Sequence, residues 1–77
     1  MFDHTIYKEN SPEKFDEACE LIEQSFTDIQ KDKLLIDVDG STYQRYTKDG
    51  KIITVYDDYD VGAVYVIADL DLSHIFN

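Results

Sequence analysis

An α+β fold, one helix packed across one face of a mostly antiparallel sheet of about five strands, is predicted by three features of the sequence. Apolar residues recur at steps of three and four between Pro12 and Gln30, the spacing of a helix stripe. From Lys33 onward the period drops to two, the spacing of strands. Two Asp-Gly pairs, Asp39-Gly40 and Asp49-Gly50, interrupt that second half where hairpins turn. The predicted order is β-α-β-β-β-β in a single domain, residues 1–77, because a chain of 77 residues has room for one core.

Phe2 to Lys8 alternates weakly through Phe2, His4 and Ile6 and is read as a first strand. Ser11 then suits a helix N-cap, and Pro12 the first helical position, where its missing N–H costs nothing. Phe15, Ala18, Cys19, Ile22, Phe26 and Ile29 form the stripe, which predicts a helix from Pro12 to Gln30. Leu34, Ile36 and Val38 alternate on one face of a strand over Lys33–Val38, Ser41–Thr47 returns, and Lys51–Asp57 is the next strand. Ala63–Ala68 is apolar on both faces and therefore belongs inside the sheet. Leu70 and Leu72 continue its alternation.

The two hairpins constrain each other. A two-residue loop at Asp39-Gly40 pairs Ile36 with Tyr43 and turns Tyr43 to the core. A two-residue loop at Asp49-Gly50 would then pair Tyr43 with Tyr56 and send Ile53 and Val55 to the face away from Leu34 and Ile36. A three-residue loop, Lys48-Asp49-Gly50, keeps Ile53 and Val55 with them, and is the expected arrangement. The helix covers one face. The opposite face has no second layer and is either solvated or used for binding.

Charge narrows the function. Seventeen acidic residues stand against seven basic ones, a net charge of −10. The last basic residue is Lys51, so residues 56–77 hold five acids and no base. Such a chain repels phosphate, which excludes direct binding of nucleic acid or an anionic membrane and favours a basic protein partner. No apolar run approaches the roughly 20 residues of a membrane helix. Met1 to Asn10 has no basic start and no apolar core of a signal peptide, so a cytoplasmic location is expected. A single cysteine allows no internal disulfide.

No motif for catalysis, metal or cofactor stands out, and the expectation is a non-enzyme with no cofactor. Cys19 lies within the helix stripe and reads as a core thiol. His4 and His74 would bind a metal with Asp3 or Asp71 only if the chain ends met. Asp57, Asp58 and Asp60 lack the ligand spacing and glycine of an EF-hand. Ser11-Pro12-Glu13-Lys14 matches the S-x-x-K pattern without its companion motifs.

The acids themselves carry the remaining signal. Glu13, Glu17, Glu20 and Glu23 line up on the polar side of the helix, with only Lys14 between them. Asp57, Asp58, Asp60, Asp69 and Asp71 form the base-free C-terminal group, interleaved with Tyr56, Tyr59 and Tyr65. Tyr46 and Tyr59 are expected to be exposed beside carboxylates, where tyrosine favours interfaces. The partner-binding candidates are therefore Asp57, Asp58, Tyr59, Asp60, Asp69 and Asp71, then Glu13, Glu17, Glu20 and Glu23. Replacing Asp57, Asp58 and Asp60 together by Asn is expected to leave stability equal or higher, by relieving repulsion.

Rows of carboxylates at these spacings sit where phosphates would. The expected function is a small acidic inhibitor that blocks a basic nucleic-acid-handling protein, a nuclease above all, by phosphate mimicry. Phage anti-defence proteins, anti-CRISPR and anti-restriction proteins among them, and nuclease-toxin immunity proteins fit this size and charge. The alternative is an interaction module or small subunit that uses its open sheet face and whose acidity plays no part in mimicry.

Overall fold

The computed structural model describes residues 1–76. In chain order its elements are β1 (Phe2–Tyr7), α1 (Pro12–Ser25), β2 (Gln30–Lys31), β3 (Leu35–Ile36), β4 (Thr42–Lys48), β5 (Lys51–Asp58) and β6 (Ala63–Ala68). The strands form one antiparallel sheet in the order β1-β6-β5-β4-β2, with β3 also paired to β4. The fold is α+β, and β6 lies inside the sheet, between β1 and β5, as its two apolar faces require.

Ser11 caps α1: its Oγ accepts the Lys14 N–H at 3.1 Å, and Pro12 follows it. Phe15, Ala18, Cys19 and Ile22 press onto Tyr46, Ile53, Val55, Val64, Val66 and Ala68 of the sheet, and Leu72 closes the core from the C-terminal side. Each fully buried side chain of Ile22's size contributes about 1.5–3 kcal/mol. The helix ends five residues earlier than its stripe predicts. Phe26 turns to an extended conformation, φ −129° and ψ 127°, and Gln30 and Lys31 pair with Thr47 and Tyr46 as β2. Phe26 and Ile29 still pack on the core from that extended segment, so the stripe was real beyond the point where the helix was.

The hairpin loops are the reverse of the expected pair. At Asp49-Gly50 the loop has two residues: Lys48 faces Lys51 and Tyr43 faces Tyr56. Asp49 (φ 52°) and Gly50 (φ 78°) are both left-handed, which is the type I′ requirement and the reason for glycine there. At Asp39-Gly40 the loop has three residues. Asp37 N–H donates to the Ser41 carbonyl at 2.8 Å, Leu35 faces Tyr43, and Gly40 (φ 91°) takes the left-handed position. The expected arrangement failed on its premise. Leu34, Ile36 and Val38 are not core residues, because β3 extends past the edge that α1 covers; Ile36 is 71% exposed and Val38 lies fully in solvent. Ile53 and Val55 reach the core without them, opposite Ala68 and Val66.

Tyr46 is a second correction. It was expected at the surface, but it is fully buried and its hydroxyl donates to Glu23 Oε2 at 2.5 Å. Cys19 lies beside it, in the core as expected, and burial pushes its thiol up to about 11. We expect Cys19 to resist alkylation at pH 8 in the folded protein and to react after denaturation. Cys19→Ser should cost about 1 kcal/mol, at the low end for a buried hydroxyl, because the Tyr46 oxygen is there to accept from it. Thermal melting checks this.

Candidate interaction surface

The register of β4, β5 and β6 decides what the uncovered face displays. Residues directly opposite one another share a face, so one row crosses the sheet as Thr5, Tyr65, Tyr56, Tyr43 and Leu35. A neighbouring row runs Asp3, Ile67, Thr54 and Arg45. Three tyrosines thus stand side by side on three adjacent strands. The Tyr56 and Tyr65 rings stack at 4.6 Å and 14°, and Tyr43 meets Tyr56 edge-on at 5.4 Å and 74°. These are the offset and edge geometries that aromatic quadrupoles favour.

Carboxylates hold both ends of the row. Tyr43 donates to Asp37 Oδ2 at 3.2 Å, and Tyr65 to Asp58 Oδ2 at 2.6 Å. Around the rings the surface is apolar, with Leu35 and Ile52 exposed and Val61 66% exposed. Three shallow hollows of about 230, 240 and 330 Å³ surround the row, lined in turn by Ile52 and Ile67, by Leu35 and Tyr43, and by Val61 and Tyr65. Small-molecule sites are enclosed clefts of roughly 300–1,000 Å³. A broad, shallow aromatic surface instead suits another macromolecule.

The C-terminal acids do not form one cluster. Asp58 and Asp60 flank the loop before β6, whereas Asp69 and Asp71 follow its far end, about 17 Å away at the rise of a strand. Asp57 is withdrawn from the surface, with 2% exposure, because its parity on β5 matches Ile53 and Val55. Its Oδ1 accepts from Asn10 Nδ2 at 2.9 Å and from the Ser11 N–H at 3.4 Å, which ties the start of α1 to β5.

Asp58 is committed to its own loop: Oδ1 accepts the N–H groups of Asp60 and Val61 at 2.9 and 3.3 Å. Replacing Asp57, Asp58 and Asp60 together by Asn therefore takes the charge from these acceptors and removes the Asp58 oxygen that accepts the Tyr65 hydroxyl, and the expected neutral or stabilising effect reverses to a loss of stability. Asp60 is exposed, as is Tyr59, whose ring lies over Gly40 and whose N–H donates to the buried Ser41 Oγ at 2.8 Å. Asp69 and Asp71 are exposed but accept from the Ile52 and Ser73 N–H groups at 3.0 and 2.9 Å.

On the helix, Glu13, Glu17 and Glu20 face solvent, with Lys14 3.6 Å from Glu17. Glu23 is occupied by Tyr46 and by Lys31, 3.0 Å away. Between this row and the sheet edge lies a cleft of about 360 Å³ lined by Phe15, Cys19, Glu20, Glu23, Lys31 and Leu34. His4 has one buried ring nitrogen, Nε2, without a hydrogen-bond partner, and the centroid of its ring lies 6.2 Å from that of Phe76. Among the described residues no group of three or more His, Cys, Asp or Glu side chains is placed to hold a metal ion, and no helix is long and apolar enough to cross a membrane.

The tyrosine row was missed in the sequence although its signal was present. Positions 43 and 56 are symmetric about Asp49-Gly50, so the two-residue loop pairs them directly. Asp58 offers a test of the row's anchoring. The Tyr65 hydroxyl, followed by the Asp60 and Val61 N–H groups, holds its carboxyl below the usual carboxylate range. A carboxyl lowered in the folded state stabilises above its ordinary pKa, and that stabilisation is lost as pH falls through the folded value. Tyr65→Phe should raise the Asp58 pKa in a ¹³C NMR titration. It should cost about 1 kcal/mol at pH 7 after solvent screening, and less once the pH has fallen through the lowered folded value, where Asp58 is protonated in both proteins.

Comparison with protein-family models, curated proteins and solved structures finds no match to this chain.

Proposed function

We propose that this chain is a protein-binding module that docks a basic partner through its uncovered sheet face. The observation that carries this reading is the Tyr65–Tyr56–Tyr43 row, presented among exposed apolar side chains on a face with no covering layer. Tyrosines bury much area at low entropic cost and dominate the anchor residues of protein interfaces. The net charge of −10 adds selection: it speeds encounter with a basic partner and disfavours acidic ones. A nucleic-acid-handling protein, such as a nuclease, is the basic class that this charge fits, and occupying it would inhibit it.

A second reading, phosphate mimicry in the manner of a phage anti-defence or immunity protein, is favoured by one observation. Glu13, Glu17 and Glu20 stand exposed in line on α1. The two readings place the binding energy on opposite sides of the molecule. Capture of partners from a lysate of the source cells separates them, using the wild type, Tyr56→Ala and the combined Glu13→Gln, Glu17→Gln and Glu20→Gln variant. Docking by the sheet face requires about 30-fold or greater loss with Tyr56→Ala, as for an interface anchor. It allows the helix variant only a slower, salt-dependent association. Loss confined to the helix variant would favour mimicry.

A further inference from the structure

The geometry points to an arginine of the partner as the residue that the tyrosine row receives, laid on the outer face of the Tyr65 ring, the face not stacked on Tyr56, beside the Asp3 carboxylate. This deepens the docking reading and rests on it. Three observations carry it.

The first is electronic. Tyr65 and Tyr43 each donate their hydroxyl to a carboxylate, at 2.6 and 3.2 Å. A phenol that shares its proton with a carboxylate gains phenolate character, which makes the face of its ring more negative. That face is what attracts a cation.

The second is charge placement. The half of the open face built by β1, β6 and β5 carries Asp3 and Asp58, with Asp69 at its rim, and its side chains include no Lys, Arg or His. Asp3 stands directly across from Ile67 and makes no ion pair among the described residues. The one basic side chain in the two central rows, Arg45, lies on β4 and is engaged by Asp32 at 3.4 Å. An incoming cation therefore meets carboxylates and no basic side chain at the Tyr56–Tyr65 half.

The third is shape. The hollows beside these rings have an apolar floor, Ile67, and carboxylate walls, Asp3 in one and Asp69 in the other. A planar guanidinium can stack on a ring and still direct its N–H groups sideways to carboxylates. An ammonium is a strongly hydrated point charge that does the first poorly. Nucleic-acid bases also stack on exposed aromatic rows. Here the surrounding carboxylates repel the phosphates that would have to accompany them.

The test is an NMR titration of the isotopically labelled protein with the blocked peptide Arg-Val-Arg-Val-Arg, its lysine counterpart, its citrulline counterpart and a single-stranded thymidine octamer. The arginine peptide should shift Tyr56, Tyr65 and Ile67. Lysine should bind about threefold or more weakly, and citrulline and the octamer should not bind measurably. Tyr65→Leu, which keeps an apolar side chain, should weaken the arginine peptide about tenfold. Asp3→Asn, an exposed change that spares the fold, should weaken it about threefold.

Equal binding of the arginine and lysine peptides, no binding of the arginine peptide, shifts mapped to α1, or preferential binding of the octamer would each overturn the assignment. If a captured partner is lost with Tyr56→Ala while the arginine and lysine peptides bind equally, arginine recognition fails and the docking reading stands. A partner that is retained by Tyr56→Ala overturns the docking reading itself.

Discussion

Tyr46→Ala is expected to use up most of the stability of the fold and bring it toward its unfolding midpoint at 25 °C. Tyr46 is a fully buried side chain of the core, packed among Phe15, Cys19, Ile22 and Ile53 in one cluster. Truncating a buried aromatic to alanine costs about 3–5 kcal/mol, the lost transfer of the ring plus the cavity it leaves. A small domain has about 5–15 kcal/mol of stability in total, and a core of this size lies toward the low end. Tyr46→Phe keeps the ring and loses only the bond to Glu23, whose carboxylate still has Lys31 at 3.0 Å. It should cost about 1 kcal/mol. Urea unfolding followed by circular dichroism measures both, and near-equal effects of the two variants would contradict a packed core position.

Asp57→Ala should have the second largest effect, about 2–3 kcal/mol. The carboxylate is enclosed by the segment before α1, and removing it leaves the Ser11 N–H without its acceptor and the Asn10 amide with only the Asp58 carbonyl, at 2.9 Å. Loss of hydrogen bonds to a charged acceptor that is itself buried falls in that range. The mechanism is specific, so the effect should be shared with Asn10: Asn10→Ala removes the same link, and the double variant should lose less than the sum of the two singles. A double-mutant cycle read by thermal melting checks this coupling. Asp60→Asn, one loop away and exposed, should leave the melting temperature within about 2 °C, the scale of an ordinary surface substitution.

These two residues show where sequence reasoning met its boundary. Tyr46 and Asp57 are polar-capable side chains within alternating strands, and local pattern treats them as surface residues. Their burial depends on which parity of β4 and β5 faces the helix. Gln44 and Ser41 are buried in the same way, each satisfied by a partner distant in sequence: Gln44 Nε2 donates to the Asp32 carbonyl at 2.6 Å, and Ser41 Oγ accepts the Tyr59 N–H at 2.8 Å. No local window contains such pairs. The acidic candidates divide for the same reason. Glu13, Glu17 and Glu20 are exposed because helix periodicity alone places them opposite Phe15, Ala18 and Ile22. The C-terminal aspartates were grouped by proximity in sequence, and the length of β6 separates them.

By itself the sequence determined those properties that arise from contacts a few residues apart. They are the Ser11-Pro12 helix start, the apolar stripe from Phe15 to Ile22, the interior place of β6, the positions of both Asp-Gly turns and the excess of negative charge. Tertiary structure alone decided how many residues each turn used, and through that the register of the sheet. The two loop types are nearly equal in local energy, because aspartate and glycine suit either. They differ by one residue, and a slip of one residue sends every side chain of a strand to the other face. The choice was made by burial: with Tyr43 opposite Tyr56, the residues Tyr46, Ile53, Val55 and Val66 meet the stripe of α1. Tyr43, Tyr56 and Tyr65 are left together on the open face as a consequence of filling the core on the other side.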